Sequence, residues 1–315
     1  MNPTDRSATV RDTVVANLGF LLMVSLWGAM FPAIEQILKS WDVVSTTTGR
    51  HSFAVVALLA VLALSERRFP LHRRLPWGRL VLLGLFGMTA TSLLMTLSVY
   101  MSSGAAAAIA SATNPITSAI TARFLQNVPL LPGVVTGAAL STIGGLISIL
   151  AGHDGAVELR GGELLVVVSN VIWTWYSLMA QRWLKGYSQL QITALTAVPG
   201  LAGLYAVSIV GALSGWVEIR IDLSPEPLLL VVFCGAVSVA VGNFLWHFGV
   251  SRVGVTIAAM YNNLIPVVAV IIAYWAGTRP SPLQLAGGAV IIAGVLFAQL
   301  MALRRRASRA AAVEA

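Results

Sequence analysis

The chain of 315 residues is 57% apolar and only 10% charged, whereas soluble domains average about 45–50% and 25%. This composition excludes an ordinary soluble protein. A helix rises about 1.5 Å per residue, so about 20 apolar residues cross a hydrocarbon core about 30 Å thick. Segments of that length recur along the chain, and the sequence therefore predicts an all-α protein that crosses the lipid bilayer many times.

Ten apolar segments are predicted to span the membrane. The first is too long for the core of a signal peptide, which holds about 7–15 residues, and is expected to be retained. Turn-forming residues separate most of the others, and the break between the third and fourth rests on "MSSGA" at 101–105. The predicted spans are residues 13–38, 45–64, 79–102, 103–124, 132–152, 161–182, 189–214, 228–250, 255–276 and 282–303.

The cations lie mainly on one side of the predicted membrane. With both termini in the cytoplasm, the cytoplasmic segments hold fifteen of the 20 lysines and arginines, the outer segments hold four, and Arg50 lies within a span. Lysine and arginine are enriched in cytoplasmic loops. The bias predicts ten spans with both termini in the cytoplasm, and it explains the net charge of +8 without a nucleic-acid partner. The expected location is a bacterial-type inner membrane.

An internal repeat relates the two halves of the chain. The stretch "GAAAAIASATNP" (104–115) aligns with "GVTIAAMYNNLIP" (254–266), and "PGVVTGAALSTIGG" (132–145) aligns with "PLQLAGGAVIIAGV" (282–295). Self-similarity at a fixed offset is the mark of a repeated structural unit.

The repeat divides the chain into two five-span units, residues 1–152 and 153–315. Because five is an odd number, the second unit enters the membrane from the opposite side, and the fold is predicted to be ten helices in two inverted repeats around a central cavity. Inverted repeats are typical of secondary transporters, whose substrate site lies near the bilayer midplane. Trp27 and Trp173 occupy matching positions near the middle of the first and sixth spans.

Polar residues recur at helical spacing within four predicted spans. Because an unpaired amide in hydrocarbon costs several kcal/mol, these stripes are expected to face protein or water. Hydrogen bonding between helices is the alternative for the isolated serines and threonines. The stripes are Ser111, Asn114, Ser118 and Thr121; Asn170, Trp173, Thr174, Ser177 and Gln181; Asn243, Trp246 and His247; and Thr256, Met260 and Asn263.

The candidate substrate-binding residues are amides and aromatics from these spans. Pro115 and Pro266 free backbone carbonyls in the preceding turn, which makes Asn114 and Asn263 stronger candidates than the hydroxyl residues. The aromatic rings offer apolar surface and cation–π contacts, with core packing or an interfacial belt as the alternative. The predicted set is Trp27, Asn114, Asn170, Trp173, Tyr176, Trp246, Tyr261 and Asn263.

Arg50 is the clear charged candidate inside a predicted span, with His51 beside it. A buried arginine costs about 2.5–3.5 kcal/mol near the bilayer centre, so a partner is expected. Glu35, at the outer end of the first span, is nearest by depth. Two hypotheses stay open: a structural or gating ion pair of Arg50 with Glu35, or the binding of a substrate carboxylate by Arg50. His247 is either a titrating group or a hydrogen-bonded structural residue.

Four stretches together resemble the drug/metabolite transporter superfamily, specifically its ten-span EamA-type members. They are "LWGAMFP" (26–32), "GAAAAIASATNP" (104–115), "YNNLIPVVAVIIAYWAG" (261–277) and "GGAVIIAG" (287–294). The resemblance implies two inverted five-helix repeats around a central cavity and, for bacterial members, export of amino acids or other small metabolites. The glutamate usual at the ends of the fourth and ninth spans is missing, since this chain reads "RFLQNVPL" and "WAGTRPSP" there.

Missing residue types narrow the function further. None of the twelve acids falls in the middle of a predicted span, which argues against a proton-driven multidrug exporter, and a single cation argues against sugar-phosphate exchange. No motif of an intramembrane protease occurs. One cysteine, Cys234, and four scattered histidines give no familiar zinc spacing. We therefore expect no catalytic residues, metal or cofactor.

The sequence thus predicts a carrier of amino acids, first aromatic and other neutral ones, and of related small metabolites, working by alternating access. A proton-coupled exporter of drugs or cationic compounds is the alternative, and a membrane receptor without transport is a third possibility. The expected partners are a small-molecule substrate and the lipid bilayer. The oligomeric state stays open and is compatible with a monomer.

Overall fold

The computed structural model describes residues 10–65, 75–102, 107, 110–127, 130–151, 161–265, 267–268 and 281–314. Within these ranges the regular structure is helical, as the composition predicts. The helices are α1 (Val10–Ile37), α2 (Val43–Ser65), α3 (Trp77–Met101), α4 (Asn114–Gln126), α5 (Pro132–Leu150), α6 (Gly162–Trp183), α7 (Gln189–Leu213), α8 (Pro225–Val253), α9 (Val255–Asn262) and α10 (Pro282–Glu314).

Seven of these helices, α1, α2, α3, α6, α7, α8 and α10, contain stretches long and apolar enough to cross a membrane. Their bounds agree with predicted spans within a few residues, except that α10 continues to Glu314. The apolar stretch of α5 is shorter, at Pro132–Ile147. The helices α4 and α9 have 13 and 8 residues, and part of the predicted spans 103–124 and 255–276, including Pro266, lies outside the described residues.

Local side-chain bonds set the starts of two helices. Ser188 and Gln191 form a capping box at the start of α7, with Ser188 Oγ accepting from Gln191 N at 3.1 Å and Gln191 Oε1 accepting from Ser188 N at 3.1 Å. Asp42 caps α2 by accepting from Ser45 N at 2.8 Å, and its other oxygen accepts from Arg220 N at 2.9 Å. The second bond ties the start of α2 to the segment that precedes α8.

The helices α3 and α8 each change to π-helical winding in their middle, over Leu83–Ala90 and Phe233–Val239. The sequence analysis did not predict this winding, which is rare and is found mostly at functional sites. Each π segment packs closely on a helix of the other half. A Cβ on Gly84 would lie 2.6 Å from a backbone nitrogen of α7, and a Cβ on Gly235 would overlap the carbonyl oxygen of Arg50 in α2.

The helices α5 and α10 meet through two glycine contacts, which we call the α5–α10 seam. A Cβ on Gly137 would lie 2.6 Å from the Gly294 carbonyl oxygen, and a Cβ on Gly144 would lie 2.7 Å from the Gly287 carbonyl oxygen. The sequence repeat aligns Gly137 with Gly287 and Gly144 with Gly294, so exchanging the halves turns one contact into the other. The order of the contacts makes α5 and α10 antiparallel along the seam.

The other helices enclose a common interior. The helix α1 packs on α8, α3 on α6, α2 on α7, and α4 on both α6 and α9. Large buried residues such as Phe20, Tyr176 and Trp246 form the core between them. On the outside, apolar side chains such as Leu64 and Leu229 are exposed, as expected for helices that face lipid rather than water.

Candidate substrate cavity

A cavity of about 110 Å³ lies between α1, α2, α3, α6, α8, α9 and the residues at the start of α4. Both halves of the chain contribute, and the lining includes one arginine and, among the described residues, no carboxylate. The lining residues are Trp27, Met30, Phe31, Arg50, His51, Thr91, Ser92, Met95, Ser111, Asn114, Ser169, Asn170, Trp173, Val239, Asn243, Asn262 and Ile265.

Five of the predicted site residues line this cavity: Trp27, Arg50, Asn114, Asn170 and Trp173. Trp27 is held by a hydrogen bond from its Nε1 to the Ser238 carbonyl oxygen at 3.2 Å. Asn170 Nδ2 donates to Thr113 Oγ1 at 3.5 Å. The helical stripes on the fourth and sixth spans therefore point to the interior of the protein, as predicted.

Three indole rings pack together at one end of the cavity. The ring centroids of Trp27 and Trp173 are 6.0 Å apart, those of Trp27 and Trp246 are 5.9 Å apart, and those of Trp173 and Trp246 are 5.8 Å apart. We call these residues the tryptophan triad. Edge-to-face and tilted contacts at such distances are favourable for aromatic pairs, so the triad joins α1, α6 and α8, and its members Trp27 and Trp173 contribute indole surface to the lining.

Trp246 and Tyr176 were predicted as substrate ligands, but the structure places both behind the lining. Trp246 is fully buried and donates from Nε1 to Ser177 Oγ at 2.8 Å. The Tyr176 hydroxyl is 2.7 Å from Thr196 Oγ1 and 3.0 Å from His247 Nε2. A chain of hydrogen bonds from His247 through Tyr176 to Thr196 thus lies behind the triad. His247 is therefore a hydrogen-bonded residue in this structure.

Tyr261 and Asn263 also lie outside the lining. Tyr261 stacks on Phe20 with ring centroids 4.5 Å apart and accepts from Gln299 Nε2 at 2.6 Å. Asn263 Nδ2 donates to the Ala112 carbonyl oxygen at 3.1 Å and to Ser141 Oγ at 3.2 Å. These contacts join α9 to α1, α10, α5 and the chain before α4, so both residues hold helices together in this structure.

Arg50 does not pair with Glu35, which corrects the expected ion pair. Arg50 is 2% exposed, while Glu35 is exposed at the end of α1. The guanidinium donates from Nη2 to Thr96 Oγ1 at 2.9 Å and from Nη1 to Met30 Sδ at 3.2 Å. Depth in the membrane was the basis of the prediction, but the side chain of Arg50 turns inward to the cavity rather than along the helix to the surface.

His51 is a lining residue that the sequence analysis noted only as a neighbour of Arg50. Its Nδ1 lies 3.0 Å from the Thr47 carbonyl oxygen and its Nε2 lies 2.9 Å from Ser92 Oγ. A carbonyl oxygen only accepts, so we assign the proton to Nδ1, with Ser92 donating to Nε2. Both nitrogens of the neutral ring are then satisfied, and His51 positions Ser92 at the cavity wall.

Asn262 and Asn243 line the cavity although neither was in the predicted set. Both carried a signal in the sequence: Asn262 is the first amide of "NNLIP", and Asn243 belongs to the polar stripe of the eighth span. Met95, Thr91 and Ser92 carried none, because they follow the π segment of α3, which rotates this part of the helix relative to regular α-helical spacing.

Several polar atoms of the lining have no hydrogen-bond partner among the described residues. The donors are Arg50 Nε and Trp173 Nε1, the acceptors are Asn114 Oδ1 and Asn262 Oδ1, and Thr91 Oγ1 is able to act as either. Buried polar groups are normally paired. A cavity whose lining residues include unpaired donors and acceptors beside apolar indole surface is suited to a small molecule with both acidic and basic or hydroxyl groups.

A second cavity of about 550 Å³ lies beyond the tryptophan triad along the same helices. On α6 it begins at Leu178 and Gln181, after Trp173, and on α8 it is lined by Val250 and Ser251, after Trp246. On both helices the residues of the second cavity therefore follow the tryptophans of the triad in the sequence.

Known proteins share both the sequence pattern and the fold. The model of the EamA-like transporter family matches the chain twice, at residues 14–150 and 160–300. The uncharacterized transporter YyaM of Bacillus subtilis is 25% identical over 287 residues, which cover 89% of this chain and 91% of that protein. A protein of Streptantibioticus cattleyicolor named "Probable terminal-alkyne amino-acid exporter" is 27% identical over 288 residues, 91% of this chain and 94% of that protein.

A solved crystal structure has the same fold, with a TM-score of 0.75 and 21% sequence identity over 91% of this chain and 98% of that chain. The two family matches fall one in each half and together cover most of the sequence. This is a multi-pass membrane protein and a transporter rather than an enzyme: the chain belongs to the EamA-like transporter family.

Proposed function

We propose that the protein exports neutral amino acids, above all aromatic ones, and related small metabolites across a bacterial inner membrane by alternating access. The observation that carries the proposal is the cavity itself, in which unpaired donors and acceptors lie beside the tryptophan triad. An amino acid has a carboxylate to accept from Arg50 and Trp173, and an ammonium to donate to Asn114 and Asn262. Its side chain then packs on the indole rings.

The proposed architecture is ten spans in two inverted repeats, residues 1–152 and 153–315. Three features support it. The α5–α10 seam is reciprocal and antiparallel, the π segments occupy matching places in α3 and α8, and each π segment packs on a helix of the opposite half. Alternating access then amounts to rocking of one repeat against the other around the cavity.

Within this scheme the predicted site residues divide into two groups. Trp27, Asn114, Asn170 and Trp173, with Arg50, contact the substrate directly. The second group supports these residues from behind and moves with them as the repeats rock; it consists of Tyr176, Trp246, Tyr261 and Asn263. Glu35, at the exposed end of α1, is assigned to the outer rim, where a gating role requires a different conformation from this one.

The size of the cavity indicates a closed state. At about 110 Å³ it is smaller than the pockets of about 300–1,000 Å³ that usually hold ligands and the cavity of about 150 Å³ that binds benzene. An aromatic amino acid therefore needs a wider conformation, in which the triad separates and joins the cavity to the second one. With both termini in the cytoplasm, as the cation distribution supports, the second cavity is the cytoplasmic entrance.

One of the relatives gives the cargo class independent support. The Streptantibioticus cattleyicolor protein is named as an exporter of an amino acid with a terminal alkyne, and an alkyne side chain is uncharged and apolar. The triad offers an apolar surface of the kind that such a side chain or a phenyl ring requires. The substrate of the present chain is proposed from its own cavity, and the name of the relative agrees with it.

Flux into liposomes tests the proposal. Purified protein in liposomes is expected to transport labelled phenylalanine and methionine, with rates well above protein-free liposomes and above liposomes that contain the Trp173→Ala variant. Indifference to a panel of amino acids would remove the proposed function. Transport of organic cations driven by an imposed pH gradient would establish the proton-coupled alternative instead, which the arginine in the lining disfavours.

The orientation has a separate test. Cys234 is buried and is a free cysteine, so the Cys234→Ala chain gives a background for single cysteines placed on either side of the membrane. A cysteine at Ser188 is expected to react with an impermeant maleimide only from the cytoplasmic side, and one at Trp216 only from the outside. If the cysteines at both positions reacted from the same side, the result would contradict the proposed topology.

A further inference from the structure

We propose that the cavity selects its cargo by a carboxylate bound at Arg50, and that it therefore also carries monocarboxylic acids without an amino group, such as 2-hydroxy acids. The proposal rests on the proposed carrier function and states what its site recognises. It depends on three observations: the charge of Arg50, which no described carboxylate compensates, the neutrality of its neighbours, and the kind of acceptor found in the same lining.

Arg50 brings a positive charge into the interior without a counter-charge. The side chain is 2% exposed, its two hydrogen bonds go to the uncharged Met30 and Thr96, and its Nε has no partner. Within the described residues no carboxylate pairs with it. A guanidinium does not lose its proton in a protein, and a buried charge is costly unless it is paired. A carboxylate on the ligand supplies the missing charge.

The titratable groups around Arg50 do not supply that charge. His51 on the same helix is engaged at both ring nitrogens, by Thr47 and Ser92. Cys234 on α8 is a free thiol packed among apolar residues such as Ala33 and Val231. The remaining lining is uncharged, with hydroxyl, amide, thioether, indole, phenyl and aliphatic groups. Among the described residues, the charge of the lining is therefore that of one guanidinium.

One guanidinium matches one carboxylate. A planar fork of N–H donors fits the two oxygens of a carboxylate, and such charge-assisted bonds are about twice as strong as neutral ones. A phosphate monoester carries nearly two negative charges at neutral pH and would remain half compensated here. The cavity charge thus favours a monoanionic group over phosphate.

The amide acceptors among the lining residues do not require an ammonium. Asn114 Oδ1 and Asn262 Oδ1 are neutral acceptors, which take a hydrogen bond from an ammonium or from a hydroxyl. Since no carboxylate faces an ammonium in the described lining, the amino group of a substrate adds hydrogen bonds but no charge pairing. Replacing it by a hydroxyl keeps the hydrogen bonds and leaves the pairing with Arg50 intact.

Three matched phenyl compounds test this in liposomes that contain the full-length protein: L-phenylalanine, L-3-phenyllactate and phenethylamine. All three share the phenyl ring. L-phenylalanine carries both charged groups, L-3-phenyllactate carries the carboxylate and a hydroxyl, and phenethylamine carries the ammonium alone. We expect phenylalanine and phenyllactate to be transported at rates within about tenfold of each other, because neutral and charge-assisted bonds to the amides differ modestly. Phenethylamine is expected not to be transported and not to compete.

A substitution assigns the selectivity to Arg50. Arg50→Gln keeps hydrogen-bonding capacity but removes the charge, and it is expected to lower transport of both acids at least about tenfold, in line with the loss of a charged hydrogen bond. Arg123→Gln removes an exposed cation at the end of α4 and is expected to change neither rate. Monodispersity in detergent shows that each variant is folded. If Arg50→Gln does not fold, the comparison of the three compounds on the unmodified protein still shows whether the cavity selects for a carboxylate.

The outcomes separate this inference from the proposed function. Transport of phenylalanine without phenyllactate would overturn carboxylate selection and leave amino-acid transport standing. Transport of phenyllactate without phenylalanine would support carboxylate selection and overturn the amino-acid assignment. Transport of neither overturns both. If the Arg50→Gln variant is folded and still transports the acids in preference to the amine, a group other than Arg50 binds the carboxylate.

Discussion

Asn262 and Asn263 are consecutive in the chain but belong to different parts of the structure. Asn262 lines the central cavity, whereas Asn263 lies outside the lining and donates from Nδ2 to the Ala112 carbonyl oxygen and to Ser141 Oγ; among the described residues neither Oδ1 has a partner. Neighbouring residues on a helix point about 100° apart, so one amide reaches the cavity and the other reaches the adjoining helices. The pair of amides in "NNLIP" thus combines a candidate ligand with a structural bond.

This division predicts opposite phenotypes for two alanine substitutions. Asn263→Ala removes both hydrogen bonds and leaves buried acceptors unpaired, so the free energy of unfolding is expected to fall by about 1–3 kcal/mol. Asn262→Ala removes no hydrogen bond seen among the described residues and is expected to lower it less than Asn263→Ala does, while lowering transport per folded molecule. Thermal melting in detergent and liposome flux measure the two quantities, and identical behaviour of the variants would contradict the assignment.

Trp173→Ala is expected to impair transport without unfolding the protein. The ring contacts Trp27 and Trp246 in the triad and is part of the cavity wall. Trp175 is the matched control, since it lies on the same helix but packs against Phe86 and Trp183. Both substitutions are expected to cost about 1–3 kcal/mol in the free energy of unfolding, because each removes a partly buried ring.

Flux measured per folded molecule distinguishes the two tryptophans. Trp173→Ala is expected to reduce phenylalanine transport at least about tenfold, the effect of losing roughly 1.4 kcal/mol of substrate contact. Trp175→Ala is expected to leave it near the unmodified rate. Normal transport by Trp173→Ala would remove this residue from the site.

Tyr176→Phe is expected to be a stability variant. Removing the hydroxyl leaves His247 Nε2 and Thr196 Oγ1 without their shared partner in a fully buried place, at a cost of about 1–3 kcal/mol. Tyr205 provides the control, because its hydroxyl bonds Ser52 at an exposed position, and Tyr205→Phe is expected to cost less than about 0.5 kcal/mol. Melting curves test the difference; equal melting temperatures would mean that this chain of hydrogen bonds is not stabilising.

Gly144→Ala is expected to disrupt the α5–α10 seam. The added Cβ would lie 2.7 Å from both the Gly287 carbonyl oxygen and the Ile291 nitrogen, and backbone atoms on both sides give way only if the helices separate, which costs about 1–3 kcal/mol. Gly78→Ala, where nothing lies within 4 Å of the new Cβ, is expected to stabilise by up to about 1 kcal/mol. The yield of monodisperse protein and its melting temperature measure both, and a tolerated Gly144→Ala would argue against close packing at the seam.

Much of the helical scaffold was predictable because it depends on local properties. The length of an apolar segment sets the length of a helix in a membrane, so the bounds of helices such as α6 and α7 agree with prediction within a few residues. Helical spacing also placed Asn170 and Trp173 on one inward face, and both line the cavity. These inferences need only the residues of one segment.

The features that could not be predicted depend on which distant residues a helix face contacts. Tyr261 and Tyr176 were predicted to line the cavity, but their neighbours are Phe20 with Gln299, and Thr196 with His247. Helical spacing does not identify partners from distant segments. The π segment at Phe233–Val239 likewise follows from the close approach of Gly235 to α2. No residue pattern within the segment itself predicts the close approach of Gly235 to α2.

The α5–α10 seam also has a consequence for biosynthesis. Gly294 follows Gly137 by 157 residues, and at about 5–20 residues per second the ribosome adds those residues in roughly 8–30 s. During that interval α5 lacks its packing partner α10, and its small residues contact the translocation machinery or lipid instead. Packing of α5 therefore depends on the later synthesis of α10, and a stop codon shortly before Pro282 is expected to leave α5 unpaired and the shortened protein open to degradation.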